Sequence, residues 1–319
     1  MKRLLQVCLW FAVPALAADD PRALVERSLP FLREQGLAWI DKRDCTSCHQ
    51  VPAMLWSWNL ASQTGIAGGE ELVREWTPWA ADWRHWNQTG DKEGVDKVSA
   101  GNIDTMNFLL LGRAANEAGA WVAEFRERLL KNQQADGSWK PGGQLPLGKR
   151  PARETAEVTT QWTLLALASC EEVVPDEVIQ KAEAYLVAAA PGVSTEWHAL
   201  RLLRQPEDPA LREALLKWQK PEGGWGWRVD EPGDAFGTGL AVYALARAGV
   251  AVDDPALQRA RAFLQSTQAT DGSWLVPSTR ARDKNKINKT ATYWGTAWAV
   301  IGLLEAGVPG KAEGAAKQE

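Results

Sequence analysis

Gln133-Gln134-Ala135-Asp136-Gly137-Ser138-Trp139 is echoed by Gln219-Lys220-Pro221-Glu222-Gly223-Gly224-Trp225 and by Gln268-Ala269-Thr270-Asp271-Gly272-Ser273-Trp274. In each copy a Gln closes an amphipathic stretch and is followed by three residues, a Gly, one residue and a Trp. The Gln positions lie 86 and 49 residues apart, so the first gap holds two units of 43, and a period of that size marks a repeat architecture. Working outward, each unit reads as two helices joined by the Gly-Trp loop. The second helix of each pair is apolar on nearly every face, as in 155–169, 238–248 and 291–306, and belongs inside. The first keeps one polar face, as in 255–267, and belongs outside.

Extending the pattern predicts outer and inner helices at 21–35 and 51–64, 70–87 and 101–118, 120–133 and 155–170, 175–190 and 194–204, 208–219 and 237–249, and 254–268 and 291–306. Six such hairpins close into an all-α toroid with two layers, which removes the end faces an open solenoid must cap. The loops inside the hairpins then share one face. In each motif the Gln amide is expected to satisfy free carbonyls at its own helix end, while the Trp packs over the Gly and ties outer to inner helix.

These motifs resemble the QW repeats of squalene-hopene cyclases and related class II terpene cyclases, whose α/α toroid protein prenyltransferases share. The resemblance covers about residues 120–306. It implies the toroid fold, but not its chemistry: the Asp-x-Asp-Asp acid cluster of class II cyclisation is absent, as is the zinc ligand set of prenyltransferases. Asp234, Glu154 and Glu157 are single acids near inner-helix starts, where a carboxylate is ordinarily a cap or dipole partner.

A second signal is Cys45-Thr46-Ser47-Cys48-His49. Cys-x-x-Cys-His is the c-type haem attachment pattern: two thiols take the vinyl groups as thioethers and the adjacent imidazole ligates iron. The pair also fits a disulfide or half a zinc site. A zinc site needs two more clustered ligands, and Cys170, His85 and His198 are scattered. The expectation is one covalent haem c on Cys45 and Cys48, with His49 as proximal ligand, hung at the loop face of the first hairpin. His85 and Met106 are candidate distal ligands. Cys-x-Ser-Cys-His-x-x-Pro-x-Met-Leu-Trp is also similar to the opening of exported bacterial proteins that join a haem motif to a cyclase-like toroid. The basic loop Arg280-Ala281-Arg282-Asp283-Lys284-Asn285-Lys286, with Lys289, lies on the same face and reads either as solvated or as a partner for propionates or an acidic protein.

Residues 1–17 read as a signal peptide, with Lys2 and Arg3, an apolar run from Leu4 to Val13 and Ala15-Leu16-Ala17. Residues 18–309 are expected to form the toroid and 310–319 a polar tail. That places the mature chain in the periplasm or another extracytoplasmic compartment, where haem c is attached. The formal net charge of −4 argues against nucleic acid, and no later apolar run reaches transmembrane length. The functional expectation is a monohaem c-type cytochrome transferring electrons to a redox partner protein. The alternatives are a haem-dependent redox enzyme acting on an apolar small molecule in the ring cavity, and a haem or lipid sensor. Eighteen Trp against 3 Tyr and 6 Phe need a structural reason, and the motifs supply part of it.

Overall fold

In the computed structural model, residues 20–307 are described, apart from 48, 87–93, 115, 116, 118, 143–147, 189 and 284. The leader, the C-terminal tail and Cys48 lie outside the described residues.

The chain forms helices α1 (Pro21–Arg43), α2 (Val51–Gln63), α3 (Gly69–Ala81), α4 (Gly94–Ala100), α5 (Ile103–Gly112), α6 (Ala120–Lys131), α7 (Ala152–Ala168), α8 (Asp176–Val187), α9 (Thr195–Arg204), α10 (Pro209–Leu216), α11 (Ala235–Arg247), α12 (Pro255–Thr267) and α13 (Lys289–Glu305). The inner helices α2, α5, α7, α9, α11 and α13 each pack on the next, and α13 returns to α2. The expected ring of six hairpins is thereby closed, with α1, α3, α6, α8, α10 and α12 as its outer layer. No helix among the described residues is long and apolar enough to cross a membrane.

The boundaries differ where tertiary contacts override local signals. α1 continues past Gly36 to Arg43, because Gly36 is a close-approach site and not a stop: a Cβ there would run into the Met54 thioether. Asp20 caps its first turn by accepting the Arg22 N–H at 3.0 Å, and Asp44 ends it in a left-handed conformation. The second outer helix stops at Ala81, ahead of a short turn of 3₁₀ helix at Trp83–His85.

The three motif loops are built alike. Trp139, Trp225 and Trp274 donate their indole N–H to Leu129, Leu215 and Leu264, in the preceding outer helix. Their backbone N–H groups donate to Thr160, Thr238 and Thr296 hydroxyls on the inner helix. The Trp therefore ties outer to inner helix, as its position in the repeat predicts. The Gln acts elsewhere. Each side-chain amide donates to its own loop glycine carbonyl and also to the next unit's outer helix: Gln133 to Val178 at 2.9 Å, Gln219 to Ala256 at 2.8 Å and Gln268 to Leu24 at 2.9 Å. It staples neighbouring units, and the third copy closes the ring onto α1.

The interior is aromatic. Trp56 of α2 lies 5.4 Å from Trp298, 5.8 Å from Tyr243 and 6.1 Å from Phe108, while Trp162 stacks on Trp298 at 5.6 Å. These five rings are at most 8% exposed, so at their level the ring is filled by its own side chains. Three further Trp of the eighteen are used here.

Candidate functional site

Gln50 precedes α2, and the loop 44–50 that carries the Cys-x-x-Cys-His pattern is held by three separate parts of the ring. From α1, the Trp39 indole donates to the Cys45 carbonyl at 2.8 Å. From the second unit, the His85 carbonyl accepts the Thr46 N–H at 2.7 Å. From α13, the Tyr293 hydroxyl shares its proton between the Leu32 carbonyl of α1 at 3.0 Å and the Gln50 carbonyl at 3.3 Å. Ser47 takes a left-handed conformation, φ 40°, that turns the chain back toward α2.

His49 is part-buried between Trp39, at 5.7 Å, and Trp294, at 5.8 Å. Burial first, and the charge of Arg280 second, hold its imidazole down to about 4, so it is neutral and has a lone pair available at neutral pH. The Ser47 hydroxyl lies 3.0 Å from Nδ1 and 3.4 Å from Nε2. Trp294 Nε1, and Oε1 of Gln50, the next residue in the chain after His49, are buried with no hydrogen-bond partner among the described residues. Burial pushes the half-buried Cys45 thiol up.

The structure engages the other candidates as follows. His85 stacks on Trp79 at 4.3 Å and turns Nδ1 to Asp44 at 3.0 Å. Met106 is fully buried in α5, and Met54 packs at Gly36. His198 points Nε2 at the Gly192 carbonyl, 3.1 Å away. Arg280 is exposed two residues past Ser278, whose N–H donates to the Lys286 carbonyl at 2.8 Å, and is close enough for its charge to act on His49.

The acids at inner-helix starts are bonded into the scaffold. Asp234 caps α11, one oxygen accepting Gly237 N–H at 2.8 Å and the other Trp227 N–H at 2.7 Å. Burial outweighs those bonds and raises its carboxyl to about 6. Glu154 accepts the Val193 and Ser194 N–H groups of the next unit, and Glu157 the Trp197 indole at 2.9 Å. A buried ion pair, Arg150 with Glu196 at 2.8 Å, also binds the Trp162 indole through the second Glu196 oxygen. Its members stand 46 residues apart, and nothing in the local sequence signals it.

Residues 203–317 match the family model of the squalene-hopene cyclase C-terminal domain, just over a third of the chain. Human lanosterol synthase is 34% identical over 92 residues, 28% of this chain and 12% of that protein. Squalene-hopene cyclase of Bradyrhizobium diazoefficiens is 37% identical over 97 residues, 29% of this chain and 14% of that protein. The chain thus aligns with about an eighth of the length of these curated relatives. Among solved structures, a variant of a type II terpene cyclase from Scytonema in complex with geranylgeranyl dihydroxybenzoate superimposes with a TM-score of 0.53 at 14% identity, over 90% of this chain and 98% of that one. A protein from Actinoplanes gives 0.54 at 16%, over 90% and 99%.

These findings overturn the expectation of an electron-transferring monohaem cytochrome, together with the redox-enzyme and sensor alternatives. The similarity is to cyclases, and no group of three or more His, Cys, Asp or Glu side chains among the described residues gathers to hold a metal ion. The ring interior at the aromatic level, moreover, is packed protein. What the sequence comparisons and the fold agree on is an α/α toroid of the terpene-cyclase type, whose C-terminal third is similar to the squalene-hopene cyclase C-terminal domain.

Proposed function

We propose that this chain is a cyclase-like toroid that does not cyclise, and that its first hairpin carries one covalently attached haem c through Cys45 and Cys48, with His49 as the iron ligand. No electron-transfer, redox-catalytic or sensing role is assigned to that group. The observation that carries the reading is the environment of His49: a neutral imidazole between two Trp rings, one of which, Trp294, has a buried indole N–H with no partner among the described residues. A porphyrin brings four ligands of its own, so one protein imidazole is enough to hold it where no larger ligand cluster exists. When bound, the group supplies a ligand-binding iron. The chain's own residues orient it: Ser47 fixes the imidazole edge, Trp39 anchors Cys45, and the His85 carbonyl pins Thr46. In this reading residues 1–17 direct export, because the thioethers form outside the cytoplasmic membrane.

Cyclisation is left out on two grounds. The acids at the inner-helix starts are bonded into the scaffold, Asp234 and Glu154 to backbone N–H groups and Glu157 to the Trp197 indole, and the interior at the aromatic level is filled by its own rings. The test is export of the full chain in a host with haem-maturation machinery, followed by denaturation and intact-mass measurement. The expected product is heavier by one haem, and the C45A/C48A double variant loses that mass while keeping its helical spectrum. A wild-type chain exported without covalent haem, or a double variant that retains it, overturns the reading.

A further inference from the structure

The third and fourth units line a pocket of about 60 Å³ that neither the cyclase likeness nor the haem reading uses. α9 contributes a stripe at i, i+4 and i+7: Trp197, Arg201 and Arg204. α8 faces it with Glu183, Leu186 and Val187, and Gln161 of α7 also lines it. Two features point to a ligand. Gln161 is 1% exposed, yet both its amide nitrogen and oxygen lack a hydrogen-bond partner among the described residues. Buried amide groups left unsatisfied carry a desolvation cost that a polar ligand atom would relieve. Arg201 is half-buried over the Trp197 ring, 5.0 Å from its centroid, and has no ion pair or hydrogen bond among the described residues. Its neighbour Arg204 is paired with Glu183. The lining therefore carries one uncompensated positive charge.

We propose that this pocket binds a small organic monocarboxylate of about four to six non-hydrogen atoms, since its volume holds about four to six water-sized groups. The Arg201 fork takes the carboxylate, for which its planar pair of N–H donors is suited. Gln161 meets a polar atom at the inner end, and Leu186, Val187 and the Trp197 ring face the short alkyl part. One unpaired cation selects a single negative charge.

The experiment is a ligand-observed NMR titration of the full chain with sodium propionate at constant ionic strength, with propionamide and inorganic phosphate as comparison probes. Saturable propionate binding is expected. Propionamide, which keeps the shape and loses the charge, should bind at least tenfold more weakly, and R201Q should weaken propionate at least tenfold. Q161L should weaken it at least threefold without lowering the unfolding temperature, because it removes a buried unpaired amide. V187W, which covers the mouth from an exposed position, should abolish binding and keeps the test decisive should R201Q not fold. Absence of saturable binding, equal binding of propionamide, tighter binding of phosphate than of propionate, or an R201Q variant or V187W variant with wild-type affinity would each overturn the proposal.

Discussion

Gly272 closes the ring, and replacing it with alanine measures how much stability that closure carries. Its φ is +82°, in the left-handed region, and a Cβ there would overlap the Arg27 carbonyl oxygen and stand 3.0 Å from the Ser28 nitrogen of α1. Gly249 has nearly the same backbone, φ +76°, with nothing within 4 Å of a Cβ. The two substitutions share the left-handed penalty of about 1–2 kcal/mol, and share the small gain from a stiffer unfolded chain. They differ in one thing. For G272A, α1 must withdraw, which stretches the Gln268 amide bonds to Leu24 and to the Ser28 hydroxyl, both 2.9 Å, and the Ser28 hydroxyl bond to the Gly272 carbonyl, 2.7 Å. At about 1 kcal/mol net for each bond, G272A should cost about 3 kcal/mol more than G249A. Guanidinium denaturation followed by Trp fluorescence and helical ellipticity reads the difference as a shift in midpoint at constant slope. Equal costs for the two variants, to within about 0.5 kcal/mol, would refute the claim that the glycine exists for the approach of the next unit.

The adjacent pair Gln133 and Gln134 separates the staple from general helix-end effects. Q133A loses bonds to Gly137 and Val178 and should cost about 1–2 kcal/mol, whereas Q134A loses a single exposed contact to Asn132 and should stay within about 0.5 kcal/mol by the same denaturation assay. W162L removes a fully buried ring from the central cluster and the indole that donates to Glu196, and should cost about 3–5 kcal/mol by calorimetry or denaturant. Asp234 sets a pH dependence. Burial holds its folded carboxyl at about 6, above its unfolded value of 3.8, so the stability it contributes is fully present below 3.8 and is lost as pH rises through 6. Wild type should therefore lose up to about 3 kcal/mol from this group between pH 4 and 7. In D234N that component should disappear from the pH profile of unfolding free energy, and an unchanged profile would show that the carboxyl titrates normally.

The architecture was legible in the amino-acid sequence because its signals are local. Apolar periodicity separated inner from outer helices, the Gln-Gly-Trp spacing marked the loops, and the sum of six hairpins demanded closure. The pentad at 45–49 is equally visible as a pattern of adjacent residues, and its use stays with the proposal above. What a motif is used for lies elsewhere in the chain. The Gln staples end on Val178, Ala256 and Leu24 in neighbouring units, the last of them 244 residues away, so reasoning confined to one helix end assigned them the wrong acceptor. α1 runs through Gly36 only because Met54 and Tyr293 press against that position, and His85 is engaged by Asp44 and Trp79 only because the 3₁₀ turn brings them together. The electron-transfer expectation was read from five adjacent residues, whereas the similarity to cyclases that overturns it is spread over the fold and its C-terminal third. Periodicity and spacing along the chain were enough to determine a two-layered ring of helical hairpins. Only the packed ring decided that five aromatic side chains from different inner helices fill its interior, and that Arg201 and Gln161, 40 residues apart, line one small pocket with no hydrogen bond or ion pair among the described residues, because burial and pairing are relations between units that no single segment encodes.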